Sequence, residues 1–219
     1  MALSKLNFNS LNLTPVAGKG IGFDSGADDL EASFSSGSMV FIKKLTASSS
    51  GTLSFVDGAS SVVLDNTYKE YLFTFNNIHP ATDSVNFYVN FSIDGGSNYN
   101  VTKTTTWFYT YHNESGNTSS LEYNAGLDLA QGTGNQPIME NIGNDNDQSG
   151  SGFLTLYNPS STTFVKHFTA TTQDIIHANY AENAFIAGYC NTTSAINAVQ
   201  FVMESGNIDS GVIKLYGVS

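Results

Sequence analysis

Arginine is missing from this chain altogether. The eight basic residues are all lysines, set against 19 acidic ones, for a formal net charge of −11. Proteins that hold phosphate backbones do so with clustered Lys and Arg that displace counterions, and bidentate reading of phosphate or guanine favours Arg. Nucleic-acid binding is therefore not expected, and an anionic membrane surface would repel the chain. Charge of either sign is also scarce, at 12% of residues, about half of the usual ~25%. Cys190 is the single cysteine, which excludes an internal disulfide framework and a cysteine-based metal site. Flanked by Phe185, Ala187 and Tyr189, it reads as a small buried hydrophobe on a strand. No apolar run approaches the ~18 residues of a spanning helix. Met1-Ala2-Leu3-Ser4-Lys5-Leu6-Asn7 lacks the apolar run of a signal peptide, so synthesis in a cytosol without general secretory export is the expectation.

What the chain has in quantity is Ser, Thr and Asn, with 20 Gly and 12% aromatic residues. Short polar side chains compete with helix by bonding their own backbone, whereas Thr, Val, Phe and Tyr suit a pleated, half-buried surface. A length of 219 residues fits one all-β domain preceded by a short extension.

Residues 1–37 read as an extended N-terminal arm. Leu6, Phe8, Leu11, Leu13 and Val16 alternate with polar residues, Gly18, Gly20, Gly22 and Gly26 break regular structure, and Asp24, Asp28, Asp29 and Glu31 form an acidic run. Residues 38–219 read as strands. Met39 to Ile42, Leu53 with Phe55, and Val62 to Leu64 come first, then Tyr71, Phe73 and Phe75 on one face. Val85, Phe87, Val89, Phe91 and Ile93 give the cleanest alternation, and the turn Asp94-Gly95-Gly96-Ser97-Asn98 predicts a hairpin with the strand of Trp107, Tyr109 and Tyr111. Residues 113–150 carry weak signals and read partly as loop. Phe153 to Tyr157, Phe164 to Phe168 and Phe185 to Cys190 follow, with Ile175-Ile176 ambiguous. The last stretch, Gln200 to Gly217, reads as a hairpin around two Ser-Gly pairs, whose final strand closes a sheet by returning beside the first. Roughly ten strands at this spacing predict an all-β, antiparallel β-sandwich, jelly-roll-like in organisation.

Enzymatic chemistry is not expected. His79, His112, His167 and His177 sit in no metal or triad spacing, and there is no Gly-x-Ser-x-Gly. A depolymerase would require paired carboxylates facing one another in a cleft. No catalytic residue, cofactor site or metal site is assigned. Two candidate binding sites carry some chemistry. Asp145 and Asp147 in Asn144-Asp145-Asn146-Asp147-Gln148 offer oxygen ligands for calcium, although the EF-hand spacing is absent and Asx-rich turns look the same. Trp107, Tyr109 and Tyr111 offer a stripe for stacking sugars, or else one wall of the core.

Several long segments carry a family resemblance. They are Asn77 to Asp83, Asp94 to Val101, Asn158 to Phe168, Gly188 to Ala195, and Ser205 through Gly217. Together they resemble a family of virion structural proteins from marine tailed phages of the cyanophage and pelagiphage type, over most of the chain from about residue 38. Trp107-Phe108 departs from that pattern. The resemblance implies a non-enzymatic structural protein made in the host cytoplasm and built into the virion. Its implied partners are other capsid or tail proteins and further copies of itself, a trimer among the options. Capsid decoration is slightly favoured over a tail-fibre or appendage role with lectin-like binding of host surface glycan.

Overall fold

The structure is a computed structural model that describes residues 38–219, together with the backbone of residues 19–23 and 30–35. The chain divides into two compact units, Met1–Val40 and Phe41–Ser219. In the first, β1 (Lys19–Phe23) and β2 (Leu30–Ser35) pair antiparallel. The glycines expected to break structure thus include two, Gly20 and Gly22, that sit inside a strand, where the register slips between them. A residue without a Cβ tolerates such an irregularity. Leu6 through Val16 and the acids Asp24, Asp28 and Asp29 lie outside the described residues.

The second unit is all strand. Its elements are β3 (Met39–Ser50), β4 (Leu53–Val56), β5 (Glu70–Pro80), β6 (Val85–Ser92), β7 (Lys103–Asn113), β8 (Ser119–Tyr123), β9 (Gln136–Ile142), β10 (Gly150–Tyr157), β11 (Lys166–Ile176), β12 (Tyr180–Cys190), β13 (Ala198–Met203) and β14 (Ile208–Val218). They make an antiparallel β-sandwich. One wide layer runs β3-β14-β5-β10-β11-β12-β7-β8, and a narrow layer runs β9-β6-β13-β4. The layers join at one corner, where Ile176 at the end of β11 pairs with Ile142 at the end of β9.

Alternation dictates the core. Phe73 and Phe75 of β5 point from the wide layer, Phe55, Phe87 and Phe201 point from the narrow one, and all five are buried. They interlock edge to face, with Phe75 5.7 Å from Phe87 and Phe73 5.3 Å from Phe55 between ring centres. Phe91 of β6 meets Phe168 of β11 at 5.0 Å and extends the core along the layers. Buried aromatic pairs of this kind each add about 0.5–1.5 kcal/mol beyond area burial.

Several sequence expectations need correction. β13 and β14 do not form a hairpin: β13 lies between β6 and β4 in the narrow layer, and β14 between β3 and β5 in the wide one. Of the two Ser-Gly pairs, Gly206 is in the turn, whereas Gly211, at φ 124°, marks a bulge inside β14 where the register against β5 shifts. β6 and β7 do not pair with each other either, because the turn at Asp94 carries the chain across to the opposite layer. Val62 and Leu64 are buried without belonging to a strand; the backbone of Leu64 donates to Asp57 Oδ1 at 2.8 Å instead. The weak region 113–150 holds β8 and β9, and Ile175-Ile176 ends the continuous strand β11.

Candidate functional site

β7, β12 and β11 run side by side in full register, and their inner face overhangs β9 of the narrow layer. Thr105 Oγ1 of β7 donates to Gln136 Oε1 of β9 at 2.6 Å, and Thr172 Oγ1 of β11 donates to the Ile138 carbonyl of β9 at 2.5 Å. Beyond these bonds the layers part, and a cleft of about 240 Å³ opens. It is lined by Tyr109 and Tyr111 of β7, Glu140 and Asn141 of β9, Ile176 of β11, Tyr180 and Glu182 of β12, and Thr118.

Tyr109 and Tyr111 are two residues apart on β7, share a face and stack at 5.6 Å; Tyr180 lies 5.8 Å from Tyr111. Their hydroxyls are held from the far side by Glu122 of β8, at 3.4 Å from Tyr109 and 3.0 Å from Tyr111. That acceptor raises the Tyr111 hydroxyl above its ordinary pKa, and burial followed by the Glu122 charge pushes Tyr109 to about 12.

The acidic side is unusual. Tyr111, Glu182 and Asp174 form one cross-strand row, since Glu182 pairs with Tyr111 on one side and with Asp174 on the other. Glu182 is 3% exposed and Asp174 0%. Neither Asp174 oxygen, nor Glu182 Oε1, has a hydrogen-bond partner among the described residues. Half-buried Glu140 faces the row from β9 and accepts from Asn124 Nδ2 at 3.4 Å. Burial, reinforced by the Glu140 charge, pushes Glu182 up to about 8. Burial, with the Glu182 and Glu140 charges behind it, holds Asp174 well above the carboxylate range, and burial raises Glu140 as well. A carboxylate stripped of water without a donor or a cation favours its neutral form.

At the other end of the same three strands the polarity reverses. Cys190 of β12 pairs with Lys103 of β7 and Lys166 of β11, and all three are 0% exposed. Lys103 Nζ donates to Asn90 Oδ1 and to the Val101 carbonyl, each at 2.7 Å, and Lys166 Nζ donates to the Thr192 carbonyl at 3.2 Å. Burial lowers Lys103 to about 8 and lowers Lys166 too; it raises the Cys190 thiol to about 12 against the pull of both lysines.

Of the proposed sugar stripe, Tyr109 and Tyr111 line the cleft, whereas Trp107 does not offer a stacking face. It is 0% exposed and packs 4.9 Å from Tyr109 as part of the core. Asp145 and Asp147 are not brought together with further acids, and no group of three His, Cys, Asp or Glu side chains among the described residues could hold a metal ion. Their loop closes as a backbone β-turn, with Gln148 N donating to the Asp145 carbonyl at 2.9 Å. The four histidines are dispersed: His79 on β5, His112 on β7, His167 on β11 and His177 past its end. Glu140 on β9, Asp174 on β11, and Tyr180 with Glu182 on β12 escaped the sequence reading because only the fold brings those three strands together. The visible signal was Glu182 at an inward position of an otherwise apolar alternation. No family model, curated protein or solved structure matches this chain.

Proposed function

We propose that the protein is a non-enzymatic structural component on the exterior of a tailed-phage particle, and that its tyrosine-walled cleft engages host surface saccharide. The family resemblance supports the particle. The attachment role rests on the cleft, where Tyr109, Tyr111 and Tyr180 converge with Glu140, Asn141 and Glu182. Aromatic rings with a few convergent polar groups are the usual composition of a small-ligand site. The test is binding of the full chain to host surface polysaccharide by Tyr111→Ala and Tyr180→Ala variants that keep the native circular dichroism. Loss of at least ~10-fold in affinity is expected for truncating a stacking ring, and unchanged affinity removes the attachment role.

A second reading, capsid decoration, is favoured by a separate surface. On the outer face of the wide layer, Tyr123, Phe108, Phe185 and Phe153 fall on one cross-strand line through β8, β7, β12 and β10, with Thr171 of β11 between the last two. Phe108, Tyr123 and Phe153 are exposed, as is neighbouring Leu121, and Phe108 stacks on Phe185 at 5.0 Å. A band of this kind suits burial against another virion protein or a second copy, a trimer among the arrangements. Antibody labelling of intact particles separates the readings: signal at the tail tips fits an appendage, and signal over the shell fits decoration.

A further inference from the structure

We propose that the saccharide held in this cleft carries a free amino group, bound as an ammonium by Glu182 and backed by Asp174 and Glu140. The inference rests on the saccharide reading above and adds the chemistry of the ligand. Three observations carry it. Glu182 lines the cleft, is 97% buried by its 3% exposure, and has an oxygen with no partner among the described residues. Asp174, directly across the strand pair, is fully buried with both oxygens unpartnered. Buried lysines do occur in this fold, but Lys103 and Lys166 sit at the opposite end of the same strands, bonded to Asn90, Val101 and Thr192. The acidic end thus has an anion site without its cation.

A metal ion fits poorly, since no three acid, cysteine or imidazole side chains among the described residues are placed so that they could hold one. An organic ammonium fits better because it needs fewer oxygen ligands and gains from aromatic walls. A cation within ~6 Å of a ring centre is attracted by the negative ring face, and the stacked pair Tyr109 and Tyr111, with Tyr180 beside them, supplies such walls. Asn141 and Thr118 at the mouth leave hydrogen-bonding groups for hydroxyls, which favours a sugar over a bare alkylamine.

The experiment compares glucosamine oligomers with their fully N-acetylated counterparts by titration calorimetry on the full chain, in wild type and in Glu182→Gln. Gln keeps the shape and relieves the acid, so the variant should fold, which near-UV circular dichroism checks. Wild type should bind the free-amine oligomer at least ~10-fold more tightly than the acetylated one, as expected for a desolvated charge pair, and Glu182→Gln should abolish that preference. Equal binding of the two oligomers by wild type overturns the amine inference and leaves the saccharide reading intact. Binding of neither overturns both. Lysine amide binding as tightly as the amino sugar also overturns the inference, by pointing to a protein side chain as the natural occupant.

Discussion

Glu182 and Trp107 are both buried, each with a side-chain atom that has no hydrogen-bond partner among the described residues. Glu182 holds its proton up to about 8, whereas the ordinary value is 4.5, so over that interval the folded chain binds a proton that the unfolded chain has released. Stability must then fall as pH rises through the interval, by up to about 1.4 kcal/mol per pH unit for this group, and flatten above it. Glu182→Gln removes the effect. The variant should match wild type near pH 5 and exceed it by several kcal/mol near pH 8, read as urea midpoints at the two conditions; parallel curves would show that Glu182 is not buried as described. Trp107 leaves its indole N–H without a partner among the described residues. Trp107→Phe deletes that orphan with most of the ring retained and should cost less than about 1.5 kcal/mol, whereas Trp107→Ala should cost about 3–5 kcal/mol by chemical denaturation. At Cys190, burial pushes the thiol up to about 12. Alkylation by iodoacetamide, which attacks through the thiolate, is expected only after unfolding.

Among the elements, β14 shows how far a strand can be read from its own residues. Its alternation was plain: Ile213 and Leu215 are buried, and Val212, Lys214 and Tyr216 lie on the other face. Of its neighbours, β3 is the first strand beside which the last was expected to return, but β5 stands where β13 was expected, because alternation records which face is apolar and not which strand lies alongside. For the same reason β6 and β7 read as a hairpin and belong to different layers. β8 and β9 were faint for another cause. β8 is an edge with Leu121, Glu122 and Tyr123 all exposed, so no buried face imposes a pattern. β9 is buried on both faces through Gln136 to Met139 and alternates little. The cleft was legible only in Tyr109 and Tyr111, since these share one strand, while Tyr180 and the acids are brought to it by strand pairing. Gly211 is the residue on which β14 bends. A Cβ there would stand 2.7 Å from the Asn77 carbonyl oxygen, at a φ of 124° that L residues rarely adopt. Gly211→Ala should destabilise by about 1–3 kcal/mol in urea unfolding; Gly58→Ala, whose added Cβ meets nothing within 4 Å, isolates the backbone part of that cost.

Taken whole, the molecule combines strong net negative charge with an aromatic outer band, and the two act in opposite directions on association. If the band is a contact between copies, as proposed above, net charge should oppose that contact at low salt and oppose it less once the charge is screened. Replacing Phe108 and Phe153 by Ser should leave the fold intact, as both are exposed, and should reduce salt-induced self-association in sedimentation velocity; unchanged association would move the contact elsewhere. The place of β14 between β3 and β5 has a consequence in time as well as in space. Among the described strands of the sandwich, β3 is made first and pairs only with β14, the last of them. On the ribosome β3 must therefore wait, its inward side chains unshielded, until every other strand has been synthesised. Such long-separation pairing slows folding. Protease should cut the nascent chain near residues 39–50 until β14 has emerged, because β5, β10, β11, β12, β7 and β8 can pair with one another before β14 exists whereas β3 cannot.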